Sequence, residues 1–210
     1  LWLITASKAI SLSPMAERFH LFYIHGFNSS PQSAKARILG DAVADDPRVQ
    51  LHVPALPYDP GQSIAILKAE VEQCLPEPVG LVGSSMGGFY GTWLAEHYAL
   101  PLVLVNPAIR PFELLRDYLG VNENVYTGER YEFTEQHIQE LRQLDIPQVS
   151  QPERYLLLTQ TADEVLDYRQ GVAKFAHSKQ IVEEGGSHGF DGFERHLPTL
   201  YSFFNLTQPE

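Results

Sequence analysis

Ser85 is the centre of Gly83-Ser84-Ser85-Met86-Gly87, which fits the pattern G-x-S-x-G. An apolar, β-branched run at 79–82 stands before it and a helix-like run at 89–97 after it. A serine in this setting occupies a sharp strand-to-helix turn that lifts its Oγ clear of the sheet. The backbone angles are unfavourable for a residue with a Cβ, so the surroundings must hold them. Side chains two positions away would collide, which accounts for Gly83 and Gly87. Gly88 and Gly91 let the next helix approach the sheet closely. That helix begins under Ser85, where its N-terminus favours developing negative charge. Five such residues alone would also suit an ordinary glycine-serine turn. The strand before and the helix after make the stretch a candidate nucleophile elbow.

An activated serine needs a base, an acid that orients the base, and an oxyanion hole. The acid belongs just after a later strand, and Asp163 follows the apolar run at 155–159. Glu164 and Asp167 compete, but they suit the start of a helix at about 164–175, where acidic side chains match the dipole. The base belongs on the loop after the last strand. His188, in Gly185-Gly186-Ser187-His188-Gly189-Phe190, is the best placed of the 8 histidines. Its nearest rival, His196, falls in the last helical region and reads as a surface or core residue. The order Ser85, Asp163, His188 is the α/β-hydrolase order. For the oxyanion, one N–H comes from Met86 and the other from the loop after the first strand, at Phe27. Gly26 lets that backbone approach a substrate, and His25 reads as a brace for the loop. Arg110 could meet an anionic leaving group, or could simply form an exposed salt bridge.

The elements that must hold these residues alternate. Apolar runs at 19–24, 49–53, 79–82, 102–105, 155–159 and 180–182 read as strands. Helices are expected from Ser30-Pro31 to about 43, at 62–75, after the elbow, and at the C-terminus, where Leu197, Leu200, Tyr201 and Phe204 share a face. This is an α/β pattern: a three-layer fold with a mostly parallel sheet, whose sites gather at the carboxyl ends of its strands. Residues 110–151 break the alternation and read as a small helical cap inserted above the sheet, with a helix at about 135–144 after Thr134. Residues 1–14 read as an extension outside the compact fold, and 15–210 as one domain.

Composition narrows the function. The chain has 210 residues, 44% of them hydrophobic and 20% charged, which suits a packed core. A net charge of −11 argues against nucleic acid or an anionic membrane as partner. The single cysteine, Cys74, excludes an internal disulfide framework and reads as a small buried residue of a helix. With no basic n-region, long apolar core or membrane span evident, the expected compartment is the cytoplasm. There is no H-E-x-x-H, C-x-x-C or P-loop, and the histidines show no metal-ligand spacing, so no cofactor or metal is expected.

Four segments carry a resemblance to a known family. They are Tyr23-Ile24-His25-Gly26-Phe27-Asn28-Ser29-Ser30-Pro31, Gly83-Ser84-Ser85-Met86-Gly87-Gly88-Phe89-Tyr90, Asn106-Pro107-Ala108-Ile109-Arg110-Pro111, and Glu183-Glu184-Gly185-Gly186-Ser187-His188-Gly189-Phe190. From about Met15 to Leu206 the chain resembles the YqiA-type esterases, small bacterial α/β-hydrolases. The resemblance implies hydrolysis of carboxylic esters or of acyl thioesters such as acyl-CoA, with Ser85, Asp163 and His188 as the triad. Residues 1–14 have no counterpart in it. The same triad would serve carbon–carbon hydrolysis or perhydrolysis, and the fold without catalysis would be a binding module. A small-molecule acyl ester or thioester is the expected partner.

Overall fold

The computed structural model describes residues 17–206, so the expected extension at 1–14 lies outside the described residues. Six parallel strands form the central sheet: β1 (Phe19–Ile24), β2 (Val49–His52), β3 (Val79–Ser84), β4 (Leu102–Val105), and, beyond an insertion, β7 (Tyr155–Gln160) and β8 (Lys179–Glu183). Their spatial order is β2-β1-β3-β4-β7-β8. The chain moves outward from β1 to β2, then returns past β1 to β3 and continues the other way. The carboxyl ends of β1 and β3 therefore flank the topological switch point, the place where open α/β sheets bind ligands.

Alternation along the strands feeds two cores. Phe22, Ile24, Leu81, Leu102, Leu104 and Leu157 face α2 (Pro60–Cys74), α3 (Met86–Tyr98) and α6 (Tyr168–Lys174). Leu21, Tyr23, Val82, Val103, Leu156 and Leu158 face α1 (Ala34–Val43) and α7 (Leu197–Phe203). These side chains are all buried, and each large one contributes about 1.5–3 kcal/mol of apolar burial. The centre of the sheet is thus a fixed platform for whatever its strand ends carry.

Three helix starts differ from the sequence expectation, and each has a local cause. α1 begins at Ala34, because Ser30 Oγ accepts from Gln32 N–H at 3.2 Å and organises a turn rather than a helix cap. α2 begins earlier, at Pro60, with Asp59 accepting from Gln62 N–H at 2.9 Å. α6 begins only at Tyr168, capped by Asp167. Asp163 Oδ1 accepts from Val165 and Leu166 N–H, both at 2.9 Å, a capping turn that the chain does not continue as helix before Tyr168.

The insertion between β4 and β7 carries α4 (Pro111–Leu114) and α5 (Glu135–Gln143), the latter capped by Thr134 and His137. Between them lies an antiparallel hairpin, β5 (Gly120–Glu123) with β6 (Arg130–Phe133), where the sequence reading expects helix only. Asn124 closes its turn, with Oδ1 accepting from Tyr126 and Thr127 N–H at 2.9 and 3.2 Å. Among the described residues, no helix is long and apolar enough to cross a membrane.

Candidate active site

Ser85 joins β3 to α3 with φ 55° and ψ −119°, a conformation that costs a residue with a Cβ about 1–3 kcal/mol. Neighbours hold it there. Its N–H donates to Val105 C=O at 3.1 Å, and its C=O accepts from Ala108 N–H at 2.9 Å. The glycines are required by contact. A Cβ on Gly87 would fall on the Ile24 carbonyl, and one on Gly83 would fall on the carbonyl of Gly87. On Gly88 it would lie 2.7 Å from Pro107 Cβ.

The three distant polar residues meet. His188 Nε2 lies 3.1 Å from Ser85 Oγ, and His188 Nδ1 lies 2.9 and 3.0 Å from the two Asp163 oxygens. An ionised carboxylate only accepts, so the imidazole proton sits on Nδ1 and the Nε2 lone pair faces the serine hydroxyl. The Asp163 side chain is 1% exposed and that of His188 is 23% exposed. Burial pushes the Asp163 carboxyl up, but hydrogen bonds from His188 and from Leu166 and Val165 N–H outweigh it and hold the group below its usual range.

Sequence reasoning missed the residues that hold His188 in place. Asn106, directly after β4, donates from Nδ2 to the Ser187 and His188 carbonyls at 2.9 and 3.1 Å. Its Oδ1 accepts from Gln160 N–H at 3.0 Å. Gln160 Oε1 accepts from Ser187 and Asp191 N–H at 3.2 and 2.8 Å. Glu164 does not enter a helix; its Oε2 accepts from His188 N–H at 2.9 Å. Lys35 Nζ donates to Gly189 C=O at 2.7 Å. Asn106 stands in one of the segments that carry the family resemblance and Glu164 among the rival acids, but neither signal names the loop of His188 as partner. His196, the rival base, is buried and bonded to Glu183 at 2.9 Å, away from Ser85.

The loop after β1 comes over the serine. A Cβ on Gly26 would lie 3.6 Å from Ser85 Oγ. His25 is buried, and its Nε2 accepts from Leu56 N–H at 3.1 Å, which leaves the proton on Nδ1, 2.9 Å from Gly26 C=O. Burial lowers the His25 pKa, opposed by that bond to Gly26. Phe27 and Met86 line one cleft with Tyr58, Tyr90, Glu129 and Tyr131. The insertion is stitched to the same loop. The Phe27 ring packs edge-on against Tyr118, Tyr131 and Phe133 at centroid distances of 5.8, 6.2 and 5.6 Å. Tyr131 Oη donates to Asn28 Oδ1 at 2.5 Å. Arg110 is elsewhere: it pairs with Glu113 at 2.7 Å and lines a separate cavity with Leu114, Val165 and Leu166.

Known structures share this architecture. A putative hydrolase from Agrobacterium vitis S4 superposes with a TM-score of 0.71 at 18% identity, covering 90% of this chain and 89% of that one. Est1E from Butyrivibrio proteoclasticus gives 0.67 at 13% identity over 91% and 88%. The esterase domain of a Rhodothermus marinus protein gives 0.59 at 14% identity over 90% and 88%. At such identities the likeness establishes the α/β-hydrolase fold. The family described as "Uncharacterised protein family (UPF0227)" matches residues 20–205, and the chain therefore belongs to that family, the one that contains the YqiA-type esterases.

Proposed function

We propose that this chain is a serine hydrolase that cleaves carboxylic esters through an acyl-enzyme. The observation that carries the reading is the unbroken hydrogen-bond relay from Asp163 through His188 to Ser85, set on a strained turn at the switch point. The likeness to a hydrolase and to an esterase domain supports it.

In this mechanism Ser85 Oγ attacks the acyl carbon as its proton passes to His188 Nε2. Asp163 keeps the imidazole in the required tautomer and stabilises the imidazolium. The N–H groups of Met86 and Phe27 receive the oxyanion, and loss of one such donor costs about 10²–10³-fold in rate. The C–O bond then breaks, and the alcohol leaves with the proton from His188. Water, deprotonated by the same nitrogen, attacks the acyl-enzyme and releases the acid.

The acyl group is received at the cleft of Phe27, Tyr58, Tyr90 and Tyr131 beneath the insertion, which acts as a cap; at about 10 Å³ the cleft has to open to admit it. That cleft contains Glu129, and Arg110 stands outside it in its own ion pair. Glu129 therefore disfavours an acyl group that carries a negative charge of its own, and a neutral acyl chain fits best. A fluorophosphonate probe should label wild type and leave Ser85→Ala unlabelled. Folded wild-type protein that takes up no label would make this a binding module. Turnover of acyl-CoA far above that of aryl and alkyl esters would reassign the substrate. Activity confined to carbon–carbon or perhydrolysis substrates would reassign the reaction.

A further inference from the structure

The histidines that show no ligand spacing along the chain are brought together by the fold at a second place. His20 lies near the start of β1, His52 ends β2 and Cys74 ends α2. One donor atom from each lies within 4.8 Å of the others. His20 Nδ1 is 2.8 Å from His52 Nε2, and that same nitrogen is 3.8 Å from Cys74 Sγ. His20 is 7% exposed and Cys74 is 9% exposed. On the side of the ring away from His52, His20 Nε2 is buried without a hydrogen-bond partner. Glu77 Oε2 faces it at 3.4 Å, short of a formed bond in this state.

We infer that His20, His52 and Cys74 form a site for a zinc ion. Two imidazoles and one thiolate are a donor set that zinc favours, with water in the fourth position. Tetrahedral zinc places two nitrogens about 3.3 Å apart and nitrogen and sulfur about 3.6 Å apart, from bond lengths of about 2.0–2.1 and 2.3 Å. The N···N pair must open by about half an ångström, and the N···S pair close by less. The ion takes the place of the proton that the two imidazoles share, and that proton is retained by a shift of His52 to its Nδ1–H tautomer. His20 then ligates through Nδ1 and keeps its proton on Nε2, facing Glu77, the carboxylate–histidine–metal arrangement that orients such ligands. His52 carries its proton on Nδ1, and Cys74 releases one proton to solvent, so one H⁺ leaves per ion bound.

The site joins β1, β2 and the end of α2. It uses no residue of the Ser85 centre, which follows the opposite end of β1. Its role is to clamp the outer part of the sheet, so zinc should raise the thermal midpoint without being required for ester turnover.

The test uses the full chain, stripped with chelator and held reduced. Titrated zinc should bind at one ion per chain and raise the melting temperature by several degrees. Cobalt(II) in its place should give a thiolate-to-metal absorption band. Cys74→Ser, a near-isosteric change, should abolish that band and weaken zinc binding at least about tenfold, and His52→Gln should abolish the melting shift. Absence of zinc uptake overturns the inference. So does uptake that survives both substitutions and disappears in His137→Gln, which would move the ion to the Asp59, His137 and Glu140 group.

Discussion

The rim formed by the strand ends and the insertion above it are built to different tolerances. At the rim, the Asp163 side chain is 1% exposed, Ser85 is locked between glycines, and the loop of His188 is held through Asn106, Gln160 and Glu164. In the insertion, Val121, Val125 and Tyr126 are 75%, 82% and 63% exposed, and the hairpin bonds mainly within itself. A proton relay loses its function if one atom moves by an ångström, because rate follows geometry steeply. A recognition surface can shift and still work. The contrast teaches that the platform holds the proposed relay rigid, while the insertion is constrained at its Phe27 seam and free to differ at its exposed tip.

Substitutions can break that contrast. Ser85→Ala should lower kcat by about 10⁴-fold or more while the urea midpoint stays near wild type, because the proposed mechanism uses the hydroxyl for chemistry rather than packing. Wild-type turnover in that variant would end the triad reading. Asp163→Asn should cost about 10³–10⁴-fold in kcat through loss of the required tautomer. It also has a pH signature. A carboxyl held below its unfolded value adds stability that is complete above about pH 4 and disappears as pH falls through the folded value. The stability gap between wild type and Asp163→Asn should therefore narrow between about pH 5 and pH 2, measured by urea melts. A gap that widens with acid contradicts the assignment.

Gly87→Ala should destabilise by more than about 3 kcal/mol or prevent folding, since its methyl meets the Ile24 carbonyl and not a flexible side chain. Asn106→Ala should lower kcat by about 10–100-fold with little change in KM, as the loop of His188 loosens. At the small end, Val125→Ser in the insertion should change stability by no more than about 0.5 kcal/mol and kcat/KM by less than about twofold. A large kinetic effect there would mean that this exposed turn contacts substrate, and would erase the distinction between the two regions.

Much of the platform was legible because its signals are local. Apolar runs bounded by glycine and proline mark the strands, and the elbow needs its glycines in a fixed frame. The order of Ser85, Asp163 and His188 follows from strand order alone. What stayed hidden depends on contacts across the fold. Asn106 looks like a strand terminator until the loop of 187–188 arrives beside it. Glu164 looks like the first turn of a helix until the loop of His188 brings a backbone N–H to its carboxylate. Arg130-Tyr131-Glu132-Phe133 does alternate, exposed then buried, but four residues are too few to announce a strand when the partner, β5, is mostly polar.

The seam at Phe27 has a further effect. Tyr118, Tyr131 and Phe133 grip its ring, and Tyr131 also holds the neighbouring Asn28. The backbone proposed to receive negative charge from the substrate is thereby anchored from overhead as well as from the sheet. Lifting the roof to admit a bulky molecule tugs on the same peptide that must stand still during bond cleavage. Under the proposed mechanism entry and turnover are mechanically coupled, so redesigning the roof for larger guests would slow the reaction even where no reacting group is touched.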